Sequence, residues 1–250
     1  MEMMRLNKYL SETGICSRRE ADRLIASGKV LVVGKTACVG QQIAEGQEII
    51  CEGKKVSSDR PRPVLLMVNK PRGIVCTTSD KDRAENIVEF LRYPIRIYPV
   101  GRLDKDSEGL LLMTNQGDLV NRIMRAGNFH EKEYEVQVDR EVTPEFLKKM
   151  ASGVKILDTV TRPCRVEKTG RDSFRIILTQ GLNRQIRRMC QALGYQVIRL
   201  KRVRIMNLKL DSLKIGEYRM VTKEEENELR RLLRGSASEP KKNGAARKKG

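Results

Sequence analysis

GRLDKDSEGLLLMTNQG, the run of residues 101–117, carries most of the information in this chain. An apolar, strand-like run (Ile95, Ile97, Tyr98, Val100) leads into it, and a second, Leu110 to Met113, begins six residues after Asp104. The Asp104 carboxylate therefore falls in a short loop at the end of a buried strand, held firmly yet able to meet a ligand. Taken alone, the same pattern fits a turn aspartate paired with a neighbouring arginine at the surface.

Working outward, strands and helices alternate on both sides of this loop. Val64 to Val68 reads as a strand closed by Asn69, Lys70, Pro71, Arg72 and Gly73. Lys132 to Asp139 alternates strictly, with Tyr134, Val136 and Val138 on one face. Thr143 and Pro144 open a helix carrying Phe146, Leu147 and Met150. Strand-like Phe174 to Leu178 leads through Gly181 into a helix expected over Arg184 to Leu193. Residues 64–233 thus read as an α/β (α+β) domain with a mixed sheet. Beyond it, residues 234–250 lack apolar periodicity and carry six basic residues against Glu239, the pattern of a disordered basic tail.

Residues 4–60 read as a separate small module of a helix pair followed by short strands. Leu6, Tyr9 and Leu10 make the apolar stripe of a first helix. Ser17 is placed to cap a second, with Glu20 at the capping-box position and Ala21, Leu24 and Ile25 on its inner face. Gly28 ends it, and β-like runs follow at Val30 to Val33 and Glu48 to Cys51, with turns at Gly34, Gly40, Gly46 and Gly53. Arg5, Lys8, Arg18, Arg19 and Arg23 lie on the exposed helix faces. Gly34, Lys35 and Thr36 spell the end of a phosphate-binding loop, but the glycine required five positions earlier is replaced by Lys29, so a hairpin turn is expected there. Ser57 to Pro63, polar and proline-bearing, suits a linker.

The formal charge of +18, from 50 Lys and Arg against 32 Asp and Glu, calls for a polyanionic partner. No apolar run approaches the roughly 18 residues of a membrane span, and the N-terminus lacks a signal-peptide pattern, which favours nucleic acid and the cytoplasm over a membrane. The six cysteines (16, 38, 51, 76, 164 and 190) are scattered without a C-x-x-C pair, and His130 is the single histidine. Neither a metal set nor disulfides are expected. One histidine also makes Ser-His-Asp or Cys-His chemistry a poor fit.

Taken together, GRLD followed by GLLLMTN, Lys132-Glu133-Tyr134 and Asn183-Arg184-Gln185-Ile186-Arg187-Arg188-Met189 resemble the motifs of the RsuA/RluF family of ribosomal RNA pseudouridine synthases. RLNKYLSETGICSRREADRLIASGKV, from Arg5 to Val30, resembles an S4-type RNA-binding domain. The likeness runs from Arg5 to about Tyr218. It implies a cofactor-free, metal-free enzyme that isomerises uridine, with Asp104 acting at the ribose anomeric carbon as nucleophile or as stabiliser of positive charge. It makes Tyr134 the residue whose ring stacks on the target base, where the alternation alone also fits a core tyrosine. Leu200 would line the pocket, and Arg102 would enter the RNA stack where the base has left.

An ionised aspartate in a water-poor pocket needs a fixed cation beside it. Ser173 to Leu210 holds nine Arg or Lys and no acidic residue. By the resemblance, Arg187 is the partner of Asp104. On a continuous helix Arg184 and Arg188 share a face, with Arg187 turned about 60° from them, so those two are assigned to RNA phosphates. The S4-type resemblance implies that Arg5, Lys8, Arg18, Arg19 and Arg23 contact RNA phosphates. The third motif is entered by Thr179-Gln180-Gly181-Leu182, where many members have Glu-Gly followed by a basic residue, and its wording is closest to the RluF branch. That branch implies 23S rRNA as the partner, with a tRNA or small-subunit rRNA as the alternative, and a monomeric protein. Two rivals remain: a non-catalytic ribosome-assembly factor, and a hydrolase that releases the base.

Overall fold

The computed structural model describes residues 3–57, 59–77 and 85–236. The chain divides into two compact units, Met1–Pro63 with Tyr93–Arg96, and Val64–Arg92 with Ile97–Gly250. In the first, β1 (Met3–Arg5) leads into α1 (Leu6–Glu12) and α2 (Arg18–Ala26). The Ser17 hydroxyl accepts the Glu20 N–H at 3.1 Å, a cap worth about 1 kcal/mol. Strands β2 (Val30–Val32), β3 (Lys35–Thr36), β4 (Gln42–Ala44), β5 (Ile49–Cys51) and β6 (Lys54–Lys55) follow. β1 pairs with β4, and the others form a sheet in the order β3-β2-β5-β6. Leu6, Leu10, Ala21, Leu24 and Ile25 pack on Val30, Val32, Ile43 and Ile49, so the helix pair buries its apolar stripe against the strands.

Two local expectations need correcting here. Arg5 is not on a helix face: it is the last residue of β1 and caps α1 with extended backbone, φ −64° and ψ 132°. Val33 is not in a strand either. It forms the β2–β3 hairpin turn with Gly34, both with positive φ (48° and 73°), as a two-residue I′ turn requires. The Gly34-Lys35-Thr36 triplet therefore lies in a hairpin and offers no strand-to-helix loop for phosphate.

The second unit contains β7 (Leu65–Lys70), α3 (Ile87–Leu91), β8 (Tyr98–Val100), β9 (Glu108–Thr114) and α4 (Gly117–Met124). After a 3-10 turn at Ala126–Asn128 come β10 (Lys132–Val138), α5 (Pro144–Ser152), the small hairpin β11 (Lys155–Ile156) and β12 (Thr159–Val160), β13 (Arg165–Lys168) and β14 (Ser173–Leu178). The last elements are α6 (Gln185–Ala192), β15 (Val197–Ile205), β16 (Leu208–Lys209), β17 (Tyr218–Met220) and α7 (Lys223–Leu232). Nine strands make one mixed sheet in the order β13-β14-β10-β15-β9-β7-β17, with β16 on β15 and β8 on β9. All its pairings are antiparallel except β15 with β9, in which Arg202 lies opposite Gly109. A Cβ at Gly109 would sit 2.3 Å from the Arg202 carbonyl oxygen, and its φ is +103°. Only glycine lets the two central strands approach so closely, which explains the glycine in the GLLL run.

Two hydrophobic cores flank this junction. One packs Leu65, Met67, Leu110 and Leu112 with Leu119, Ile123 and Leu229 from α4 and α7. The other packs Val136, Val138, Phe174, Ile176 and Leu200 with Phe146 and Met150 of α5 and Ile186 and Met189 of α6. Thr143 caps α5 by accepting the Phe146 N–H at 3.1 Å, with Pro144 in the first turn. Residues 237–250 of the expected tail, and Ser58 of the expected linker, lie outside the described residues.

Candidate active site

The loop carrying Asp104 is tied down at nearly every residue. Gly101 opens it with φ +73°. The Leu103 N–H points at the Cys76 sulfur at 3.4 Å, and the Lys105 carbonyl accepts the Gly73 N–H at 2.7 Å. Ser107 N–H closes a turn onto the Asp104 carbonyl at 3.0 Å. Lys70, fully buried at the end of β7, donates from Nζ to the carbonyls of Pro71 (2.7 Å) and Ser107 (2.8 Å). From α6, Arg187 Nη2 donates to the Asp106 carbonyl at 3.0 Å and the Ser107 hydroxyl at 3.3 Å. A loop held this way spends little entropy when it meets a ligand.

Beside the loop lies a cleft of about 320 Å³. Leu178, Ile186 and Leu200 form apolar wall, Tyr134 offers its ring, and Arg102, Asp104 and Arg184 stand at the polar side. Four residues singled out in sequence (Arg102, Asp104, Tyr134 and Leu200) thus share one cavity with Arg184.

The arginine assignment changes. Arg184 Nη1 lies 3.4 Å from Asp104 Oδ2 and 3.3 Å from Asp106 Oδ1, so Arg184 is the cation in ion-pair contact with Asp104. Arg187 pairs instead with Asp106 at 3.3 Å and donates to the Val197 carbonyl at 3.2 Å, acting as a clamp on the loop. The reason is local. Helix α6 begins one residue later than expected, and Arg184 takes a left-handed conformation (φ 48°, ψ 37°). The buried Gln185 side chain accepts the Leu182 N–H at 3.0 Å, closing a turn in place of a first helical turn. Arg184 and Arg188 therefore do not share a helix face. Arg188 folds back onto Asn183, donating to its carbonyl (3.1 Å) and its Oδ1 (3.2 Å). Burial alone would raise the Asp106 carboxyl, but the Arg184 hydrogen bonds and the Arg187 charge outweigh it and hold Asp106 below the usual carboxylate range.

Two buried cations in the cleft were not anticipated. Lys132 is 5% exposed and Arg202 is 1% exposed, and both line the cavity. Lys132 leaves β10 on the same face as Tyr134, two residues on; a charged residue at an inward position of the alternation was the available signal. Arg202 was hidden by a bulge. Between Glu133 and Tyr134 the β10–β15 register shifts, so that Glu133 opposes Arg204 while Tyr134 opposes Arg202. Strict alternation would put Arg202 and Arg204 on one face; the extra residue, Val203, sends them to opposite faces.

The remaining predicted residues are elsewhere. Arg5, Arg18, Arg19 and Arg23 are exposed in the first unit, and Lys8 is half-buried, 3.6 Å from Glu12. Arg18 donates to Asn7 at 3.3 Å and Arg23 pairs with Glu20. Among the described residues no group of His, Cys, Asp and Glu is arranged to hold a metal. All six cysteines are free, and burial pushes the Cys164 thiol up to about 11 and Cys190 to about 12, so these two are unreactive packing residues. His130 meets Ser236 through Nε2 at 2.9 Å.

Comparison with known proteins gives the family. Residues 64–192 match the family profile of RNA pseudouridylate synthase, and residues 4–54 match that of the S4 domain. The dual-specificity RNA pseudouridine synthase RluF of Salmonella typhi is 52% identical over 249 residues, spanning 98% of this chain and 85% of that protein. Its Escherichia coli K12 counterpart is 51% identical over 247 residues, with the same coverage. The ribosomal large subunit pseudouridine synthase B of Bacillus subtilis is 35% identical, covering 92% of this chain and 97% of that one. A crystal structure of a pseudouridylate synthase superimposes with a TM-score of 0.66 at 30% identity, covering 92% of this chain and 99% of the other. With relatives of this similarity along nearly its whole length, and a cleft built around the GRLD aspartate, the chain belongs to the RNA pseudouridine synthase family, isomerases that act on RNA, and carries an S4 domain.

Proposed function

We propose that this protein isomerises one or a few uridines of 23S ribosomal RNA to pseudouridine, with Asp104 as the catalytic carboxylate. The observation that carries the reading is the cleft itself: an anchored carboxylate at its edge, an arginine 3.4 Å away, and Tyr134 and Leu200 along a cavity of about 320 Å³. Isomerisation breaks the bond between uracil N1 and the ribose C1′, turns the base over and joins C5 to C1′. It needs no redox partner, and it needs the base drawn out of its stack. Tyr134 stacks on the extruded uracil, Leu200 packs on it, and Arg102, exposed at the rim, fills the gap left in the RNA. Arg184 sets its guanidinium 3.4 Å from the Asp104 carboxylate, while Arg187 fixes the loop through Asp106 and Ser107.

In this reading residues 4–60 grip structured RNA through Arg5, Lys8, Arg18, Arg19 and Arg23, residues 64–233 carry out the chemistry, and the basic segment 234–250 adds non-specific affinity. Arg188 serves as a backbone contact. The protein acts as a monomer in the cytoplasm, where ribosomal RNA is its substrate. A tRNA is the second candidate substrate, favoured by the dual specificity in the names of the RluF relatives.

The test is a pseudouridine map of rRNA and tRNA from cells with and without the gene, repeated on transcripts with purified protein. A 23S position that loses its pseudouridine, and regains it in vitro at unchanged RNA mass, supports the reading. An unchanged 23S map with a lost tRNA site would move the substrate to tRNA. Release of free uracil would replace isomerisation by hydrolysis.

A further inference from the structure

Lys132 and Arg202 lie together in the cleft without an acidic neighbour. Among the described residues neither has a carboxylate within ion-pair distance. The Lys132 ammonium makes one long hydrogen bond, 3.4 Å to the His130 carbonyl, which leaves two of its three donors unused. Arg202 gives Nε to the Leu110 carbonyl at 2.7 Å, and its Nη2 is buried with no partner. Two buried cations side by side repel each other. Burial and the Arg202 charge accordingly pull the Lys132 ammonium down to about 8. A fold does not gain stability from such a pair, and unpaired buried charge is costly unless something else needs it.

The geometry says what that is. Lys132 and Tyr134 leave β10 on one face, and Arg202 stands opposite Tyr134 on β15. A base stacked on Tyr134 therefore lies within reach of Lys132, with Arg202 behind it as a fixed positive charge. We propose that the Lys132 ammonium, backed by Arg202, hydrogen-bonds a carbonyl oxygen of the extruded uracil and stabilises the negative charge the base carries when its bond to the ribose breaks.

This rests on the reading of the cleft as a uridine site. As the N1–C1′ bond breaks, its electron pair leaves with the base, and uracil becomes an anion with charge spread over N1, O2 and O4. The matching positive charge at C1′ falls to Asp104. When C5 attacks C1′, the pair returns in the new bond, and the proton lost from C5 is made up at N1. The Lys132 contact strengthens as the charge develops, which is the condition for speeding the step and not merely tightening binding. Where the oxygen contacted is O4, the same donor favours uracil over cytosine, whose amino group at that position would face it donor to donor.

The experiment compares Lys132→Met and Lys132→Arg with the wild type in single turnover at saturating RNA, from pH 6 to 10. The Met variant keeps the side-chain length and removes the charge, so it should fold. It should melt at a higher temperature than wild type at pH 7, with the gain shrinking as pH rises. That sign follows because the wild-type lysine is depressed in the folded state, so the folded state takes up its proton less readily than the unfolded one. Its turnover should fall about a hundredfold, as for loss of one preorganised donor, with RNA affinity held within a few-fold. Wild-type turnover should decline as pH passes about 8, and the Arg variant, which stays charged, should not show that decline.

The other charged or titratable groups around the site are Asp104, Arg102, Arg184, Tyr134, Arg202, His130 and the Cys76 thiol behind Leu103. All remain in the Arg variant, so a decline due to them or to the uridine would persist there. Full turnover in Lys132→Met, or a wild-type decline repeated in Lys132→Arg, overturns the proposal while leaving the uridine site standing. Absence of pseudouridine from the wild type on any RNA would instead overturn the site.

Discussion

The two faces of the β10–β15 ladder use charge differently. On one face, Arg204 bonds Glu133 at 2.6 Å and Glu131 at 3.0 Å, Arg175 reaches Glu133 at 3.3 Å, and Arg165 pairs with Glu131. Every one of these cations has a carboxylate, and the network is partly open to water. On the opposite face Lys132 and Arg202 are more deeply buried and have none. Paired charge at a surface is ordinary sheet construction, modest in value and easily replaced. Unpaired charge in a cleft costs stability, and proteins keep it where a ligand supplies the missing partner. The bulge at Val203 is what makes the contrast possible, because it sends two arginines spaced like strand neighbours to opposite faces.

This contrast can be broken by experiment. The larger effect is expected on the cleft side. Arg187→Ala removes the clamp on Asp106 and Ser107, so the loop carrying Asp104 loses its fixed position. Turnover at saturating RNA should fall about 100-fold, the usual result of a misplacement near 1 Å, with RNA affinity kept. A pure binding defect in that variant would make Arg187 a phosphate contact and not a clamp. The smaller effect belongs to the other face. Glu133→Ala strips the half-buried Arg204 of its shorter partner and should cost about 1.5–3 kcal/mol in urea unfolding, with single-turnover rate unchanged. A rate loss there larger than the stability loss would show that both faces serve the chemistry. Smallest of all, Arg165→Ala, at an exposed rim, should stay within about 0.5 kcal/mol of wild type.

Much of this was legible in the residues, and the failures at Arg184, Val33 and Arg202 share one cause. The Asp104 loop, the Tyr134 face and the Ser17 and Thr143 caps depend on local chemistry, namely alternation, turn residues and side-chain-to-backbone bonds, and local sequence carries those signals. Arg184, Val33 and Arg202 depend on something else. Arg184 leaves the helix because a buried Gln185 bonds Leu182, and Val33 takes a left-handed turn because strand twist demands it. Arg202 faces the cleft because of a single bulged residue. A positive φ or a bulge shifts a side chain by half a period without changing the apolar pattern, so periodicity has no means of detecting it. Lys132 is different: its inward position was readable beside Tyr134, and only the habit of placing lysines outside hides it.

The central claim is that the Asp104 carboxylate performs the isomerisation in this cleft, and Asp104→Asn tests it most directly. Asparagine keeps the size and removes the charge, while Lys70, Arg187 and Gly73 still hold the loop through backbone groups and Ser107. In single turnover with saturating 23S fragment the variant should form no pseudouridine at the longest incubation, while binding the RNA within a few-fold of wild type. Turnover within about tenfold of wild type, from protein purified free of the host enzyme, would contradict the account, because a barrier change of barely 1.4 kcal/mol leaves no room for a catalytic carboxylate.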